Sequence, residues 1–167
     1  MKPTKQYSLV FPRRELEDGK RSVLLGRKKR GFGEGKWNGF GGKIEVGETL
    51  QEGAVRELME ESGLKCEPSG LTHCGSLIFN MHDKVMNVEV YELWAWEGVP
   101  SESDEMAPHW FEEEQVLNSL LTSSEMWPDD KFWLPLLLSG LEGKKIRGDF
   151  TYAEDDLTIT RNEVGIH

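Results

Sequence analysis

Three glutamates dominate the chemistry that this sequence makes legible. In the run Arg56-Glu57-Leu58-Met59-Glu60-Glu61-Ser62-Gly63, carboxylates stand at i, i+3 and i+4. At ~100° per residue, a helix would project all three within an arc of roughly 100°. Like charges at that spacing repel and weaken an isolated helix. A hard divalent cation such as Mg²⁺ removes the conflict, because it takes oxygen ligands and shares its octahedron with phosphate oxygens. Gly53, one turn earlier on the same side, leaves room for another backbone to approach. Alone, the trio is as compatible with an ordinary solvated acidic face. The segment just upstream breaks the tie: Lys29–Gly42 holds six glycines in fourteen residues, too many for a regular element interior. A loop ending Gly39-Phe40-Gly41-Gly42-Lys43 can lay backbone groups and one ammonium against a polyphosphate. Further along, Asp129-Asp130 after Trp127-Pro128 reads as a helix start, where free backbone N–H groups favour carboxylates.

The elements that must position these residues follow from pattern. Thr49–Ser62 is the best helix: Thr49 with Glu52 makes a capping box, and Leu50, Ala54 and Leu58 form an apolar stripe widened by Val55 and Met59. Gly63 then Leu64 is a left-handed stop. Tyr7–Phe11 and Ser22–Gly26 read as strands of a long hairpin, its charged Pro12–Lys20 connection ending in the Asp18-Gly19 turn signal. Gly75–Met81 and Met86–Trp96 alternate as strands around His82-Asp83-Lys84. A short strand at His109–Phe111 leads into a helix near Glu112–Leu121, and a further helix covers Asp129–Leu138, where Pro135 needs tolerance or a kink. Ile146–Ala153 and Leu157–Glu163 form a closing hairpin. Strands flanked by helices predict an α/β fold, a mixed sheet between helical layers, with residues 1–167 as one domain.

Composition bounds the partners. Lys+Arg number 20 against Asp+Glu 30, for a net charge of -10, which disfavours wrapping a nucleic acid polymer or lying on an anionic membrane. It leaves open a phosphate-bearing small molecule whose charge is met by a cation. With Cys66 and Cys74 the only cysteines, no metal or disulfide framework is expected, nor is any metal role for His73, His82, His109 or His167. The opening residues carry no apolar leader pattern, and no apolar stretch is long enough for a bilayer. The expectation is a cytoplasmic monomer, with a mitochondrial or nuclear fraction left open.

Gly42, Glu48 and Arg56-Glu57-Leu58-Met59-Glu60-Glu61-Ser62-Gly63-Leu64, at their spacing, resemble the full Nudix box over residues 42–64. The resemblance reaches further, to the family's oxidised purine nucleoside triphosphatases related to MutT. Its carriers are Lys28–Gly33, Trp37–Lys43, Glu102–Met106 and Met126–Asp130, in that order. It implies a Nudix α/β/α sandwich that hydrolyses 8-oxo-dGTP, 2-hydroxy-dATP and related nucleotides to monophosphate and pyrophosphate with Mg²⁺, Mn²⁺ being an acceptable substitute. On that resemblance Glu57, Glu60 and Glu61 are metal ligands or the base that activates water, and Arg56 orients a neighbouring carboxylate. Glu105 and the Gly41 carbonyl add oxygen ligands. Trp127 and Pro128 cover the purine face, while Asp129, Asp130 and Asn38 read its edge, one aspartate keeping a proton as a donor. Phe32, Phe40, Phe79, Met81 and Met86 line the site; Lys28 reaches a phosphate or the sugar, Gly41, Gly42 and Lys43 attend the phosphates, and Ser8 the base or ribose. Pro12–Lys20 reads as an insertion making a longer exposed loop. Ser8 and Met81 stand where the mammalian-type enzymes carry threonine and phenylalanine, which touches the order of preferred bases.

Two other readings compete. One is a Nudix hydrolase of a methylated purine nucleotide, a dinucleotide or an RNA 5′ end. The other is a nucleotide-sensing module without turnover, against which the intact glutamate trio argues.

Overall fold

Both faces of one long strand carry the fold. The computed structural model describes residues 1–167, with strands β1 (Thr4–Glu15), β2 (Arg21–Lys28), β3 (Trp37–Asn38), β4 (Thr72–Asn80), β5 (Val85–Leu93), β6 (Met106–Glu112), β7 (Ile146–Tyr152) and β8 (Ile159–Ile166). The helices are α1 (Leu50–Ser62), α2 (Glu113–Asn118) and α3 (Asp130–Ser139). The sheet order is β3-β2-β1-β5-β4-β7-β8, with β6 also paired to β2. β1 lies parallel to β5 and β4 parallel to β7, while the other pairs are antiparallel. This is the mixed sheet that the alternating pattern predicts.

Successive side chains of β1 point to opposite sides. Phe11 joins Trp133, Leu134 and Leu137 of α3 in the larger core, and Val10 joins Ala54 and Leu58 of α1 in the smaller one. The sheet is thus packed between helices. No helix is long and apolar enough to cross a membrane.

α1 begins and ends where its residues dictate. The Thr49 side chain accepts from the Glu52 N–H, the Glu52 carboxylate accepts from the Thr49 N–H, and Gly63 closes the helix at φ 79°. Elsewhere boundaries move. β6 starts at Met106 rather than His109, because its whole length pairs with Ser22–Lys28 of β2. The helix expected over Glu112–Leu121 is the short α2, and Leu120–Thr122 is a separate 3-10 turn. β5 stops at Leu93, short of Trp96, and β8 runs Ile159–Ile166 rather than Leu157–Glu163.

The Pro12–Lys20 expectation needs correction. Only Leu16–Lys20 connects the strands; Pro12 is paired with Leu93 inside the sheet. Arg13 is 2% exposed. Its guanidinium donates to both oxygens of Glu113 at 2.8 and 2.7 Å and to Glu92 at 3.0 Å. It also donates to the carbonyls of Leu137 and Leu138, at 3.4 and 3.1 Å, near the end of α3. A cation can be buried there because every direction of its fork meets an acceptor. None of those partners is near Arg13 in the chain, so the local charge pattern reads as a loop.

Arg13→Ala would strand Glu113 and cost about 3–5 kcal/mol of stability. Arg13→Leu combined with Glu113→Leu should recover most of that loss. Urea unfolding of the two variants measures both effects.

Candidate active site

The glycine loop and α1 meet with almost no space between them. A Cβ on Gly41 would lie 1.8 Å from the Ser8 carbonyl oxygen, and one on Gly42 would lie 2.6 Å from Glu57 Cδ. The loop is stitched to β1: Ser8 N–H donates to the Gly42 carbonyl at 2.9 Å and Ile44 N–H to Gln6 at 2.9 Å. The Gly41 N–H is thereby aimed at Glu61, which accepts it at 2.9 Å. The Gly41 carbonyl accepts no backbone hydrogen bond. At Gly53, the room left on α1 is taken by Ile44 Cδ1, which would stand 2.5 Å from an added Cβ.

Arg56 manages the repulsion on this face. It binds Glu48 through two parallel hydrogen bonds of 3.0 and 2.7 Å, and reaches Glu57 at 3.0 Å and Glu60 at 3.4 Å. It also donates to the Lys43 carbonyl at 3.2 Å and lies 3.8 Å from Glu45. Fork-on-carboxylate pairing fixes orientation as well as charge. The Arg56 bond, with the Glu45 N–H, holds the Glu48 carboxyl down to about 2. Burial pushes Glu57 up from the ordinary value, against the pull of Arg56. Glu61 goes further, up to about 7, because burial outweighs its bond from Gly41. The carboxylates are drawn to different protein partners, and no three His, Cys, Asp or Glu side chains converge to hold an ion on their own. The donor chemistry still fits a hard divalent cation: three carboxylates and a free carbonyl, with Glu61 buried and no cation hydrogen-bonded to it.

Glu61, Gly41 and Gly42 also line a cavity of ≈ 210 Å³ that runs to the far side of β1. Its inner end is built by α3 and β7. Asp129 and Asp130 are both buried there. Asp129 accepts from Tyr152 Oη at 2.5 Å and from Trp133 Nε1 at 2.8 Å. Asp130 accepts only the Trp127 N–H, at 3.1 Å. Burial raises the pKa of both, and the neighbouring Asp129 drives Asp130 well above the usual carboxyl range. Trp127 faces Phe32 at 5.1 Å, and the Lys36 ammonium lies 5.4 Å from the Trp127 ring centre. Asn38 Oδ1 accepts the Gly39 N–H at 2.8 Å, leaving the amide NH₂ to donate elsewhere. Ser8 Oγ, buried in the same wall, has no partner. Lys28, Phe79, Met81 and Met86 complete the expected lining.

Not every expected residue is part of this cavity. Phe40 is fully buried on the opposite face, because its bridge to Val10 turns it into the smaller core beneath α1. Lys43 is exposed beside the mouth rather than in the wall, and Pro128 leads into α3 without lining the space. Glu105 is held by Arg30 at 2.9 and 2.7 Å and stands 3.7 Å from Lys28, and its charge adds to the upward push on Glu61 without lining the cavity. Conversely, four residues gain roles that pattern did not suggest: Glu48 through Arg56, Tyr152 and Trp133 through Asp129, and Lys36 beside Trp127. Only Glu48 had a signal, its place in the box spacing.

A family model described as NUDIX domain matches residues 14–137. The chain belongs to the Nudix family. The oxidized purine nucleoside triphosphate hydrolase of Mus musculus is 43% identical over 83% of this chain and 83% of its own length. That of Danio rerio is 43% identical over 82% of this chain and 83% of its own. The crystal structure of the mutator MutT protein from Bacillus halodurans shares the Nudix fold, with a TM-score of 0.78 at 22% identity over 96% of this chain and 97% of that one.

Two outcomes test this Nudix site. Gly41→Ala cannot be accommodated, since the added carbon meets backbone at 1.8 Å, so loss of both cation binding and melting temperature is expected. A Glu61 carboxyl raised in the folded state makes the metal-free protein less stable as pH climbs from the unfolded value of 4.5 toward about 7, with no further loss above. A cation needs the ionised form, so the melting-temperature gain on adding Mg²⁺ should grow between about pH 5 and 8. Melts with and without the metal across that range check it, and Glu61→Gln should flatten the response.

Proposed function

We propose that the protein hydrolyses oxidised purine nucleoside triphosphates, 8-oxo-dGTP and 2-hydroxy-dATP among them, to the monophosphate and pyrophosphate, with Mg²⁺ as cofactor and Mn²⁺ as a substitute. One observation carries this: a single cavity has the paired aspartates beside Trp127 at one end and Glu61 with Gly41–Gly42 at the other. A site that reads a base at one end and handles phosphate at the other matches a free nucleotide. The two relatives named as oxidized purine nucleoside triphosphate hydrolases support the same reading.

At the base end the two carboxyls divide their work. Asp129, with two side-chain donors, is the better ion and can accept from ring N–H groups such as N1 and N2 of a guanine. Asp130, beside that charge and with a single donor, keeps its proton and can donate to O6. Asn38 offers its free NH₂. A base edge that mismatches this set would strand buried polar atoms, which is how such pockets discriminate strongly.

At the phosphate end, Glu57, Glu60, Glu61 and the Gly41 carbonyl would hold the cation, with Glu105 reaching them only by giving up Arg30. The bound metal supplies charge neutralisation and an activated water for in-line attack at phosphorus. Arg56 keeps Glu57 and Glu60 turned toward one side of α1, and Glu48 keeps Arg56 there. Lys28, 34% exposed at the cavity wall, can meet a phosphate oxygen. Removing oxidised purine triphosphates in this way keeps them from polymerases.

Incubation with Mg²⁺ and a panel of normal and oxidised triphosphates, with products resolved, tests the proposal. Monophosphate and pyrophosphate formed chiefly from oxidised purines are expected; binding without products would refute it. Glu57→Gln and Glu61→Gln should each lower turnover about a hundredfold or more while nucleotide affinity changes little. Asp129→Asn and Asp130→Asn should each redistribute preference between the oxidised guanine and adenine substrates. A uniform loss for every nucleotide would count against the two-aspartate reading.

A further inference from the structure

Three lysines gather at the cavity mouth without any carboxylate to answer them. Lys43 bridges to Tyr7 of β1, so the two side chains share a face, and Lys5, two residues before Tyr7, points the same way. Lys84, in the turn before β5, places its ammonium 5.7 Å from the Tyr7 ring centre. All three side chains are thus grouped around Tyr7. Yet the chain carries a net charge of -10, and its only ion-paired lysines are Lys28 and Lys29. A protein with so many carboxylates leaves three cations crowded and unpaired where Tyr7 forms part of the cavity wall. The Lys43 backbone is in turn held to the carboxylate face by Arg56 at 3.2 Å. The cluster therefore reaches from the glycine loop at Lys43 to the start of β5, where Lys5 pairs with Met86 and the Lys84 carbonyl accepts the Met81 N–H.

We propose that Lys5, Lys43 and Lys84 form a subsite for the two phosphates that leave as pyrophosphate. This rests on the triphosphatase reading above and extends it: Lys28 serves the cavity wall, and this triad receives the tail. Lysine suits the task as a mobile point charge that can follow a flexible phosphate chain and then let it go. Lys5 and Lys84, on β1 and the β4–β5 turn, are separated from the box by both sequence and element.

Titration calorimetry with inorganic pyrophosphate and with the nucleoside monophosphate tests the subsite directly. In Lys5→Ala/Lys84→Ala, pyrophosphate should bind about tenfold more weakly, with the monophosphate changed less than about twofold. KM for the triphosphate should rise with kcat nearly constant, and Lys5→Arg/Lys84→Arg should keep wild-type pyrophosphate affinity. Unchanged pyrophosphate affinity would overturn the proposal. So would an equal loss for both ligands, or a loss confined to a nucleoside 3′,5′-bisphosphate, which would put the triad on the ribose side. An unaltered melting temperature shows that the alanine variants fold. A protein that loses pyrophosphate affinity with these lysines, yet turns over no oxidised nucleotide, would refute the proposed substrate and leave the subsite standing.

Discussion

The site depends on one steric constraint: the backbone at Gly41–Gly42 lies closer to β1 and α1 than any side chain allows. A Cβ at Gly41 would meet the Ser8 carbonyl oxygen at 1.8 Å, and one at Gly42 would meet the Glu57 carboxyl at 2.6 Å. Because the contact exists, an amide reaches the buried Glu61, a carbonyl is left open beside it, and β1 joins the phosphate end of the cavity to the base end. Glycine serves here for its missing side chain rather than for an unusual φ, since neither position needs a left-handed backbone.

Charge is handled in three different ways across the molecule. Arg13 is buried and fully answered by Glu113, Glu92 and two carbonyls, so it contributes cohesion between β1, α2 and α3. Arg56 is shared among more carboxylates than it can neutralise, which orders them while leaving their combined charge negative. Asp130, with only the positive charge of Lys36 in reach, and the lysines at the mouth form no ion pair. The first arrangement belongs to a core, and the other two to a surface prepared for a ligand. α3 links them, since one end bears the aspartates and the other is held by Arg13.

Much of this was legible in the chain. The start and stop of α1 follow from Thr49, Glu52 and Gly63, because capping is decided within a few residues. The helical spacing of Glu57, Glu60 and Glu61 put them on one face, and the box spacing placed them beside a glycine loop. The strand expected over Tyr7–Phe11, the helix expected over Asp129–Leu138 and the closing hairpin correspond to β1, α3 and β7–β8, with shifted ends. Those ends move because strand length is set by the partner strand, as when β6 extends along β2.

What the residues determined by themselves was local: helical spacing, caps, turn chemistry and the requirement that a glycine-rich loop stay irregular. Tertiary structure decided everything that needs a partner distant in sequence. It buried Arg13 against Glu113, turned Phe40 away from the cavity by pairing it with Val10, gave Glu105 to Arg30, and made Asp129 and Asp130 unequal through Tyr152 and Trp133. Local patterns follow from bonds within a few residues. Burial, and with it the charge state of a carboxyl, is set by whichever segments the fold brings against it.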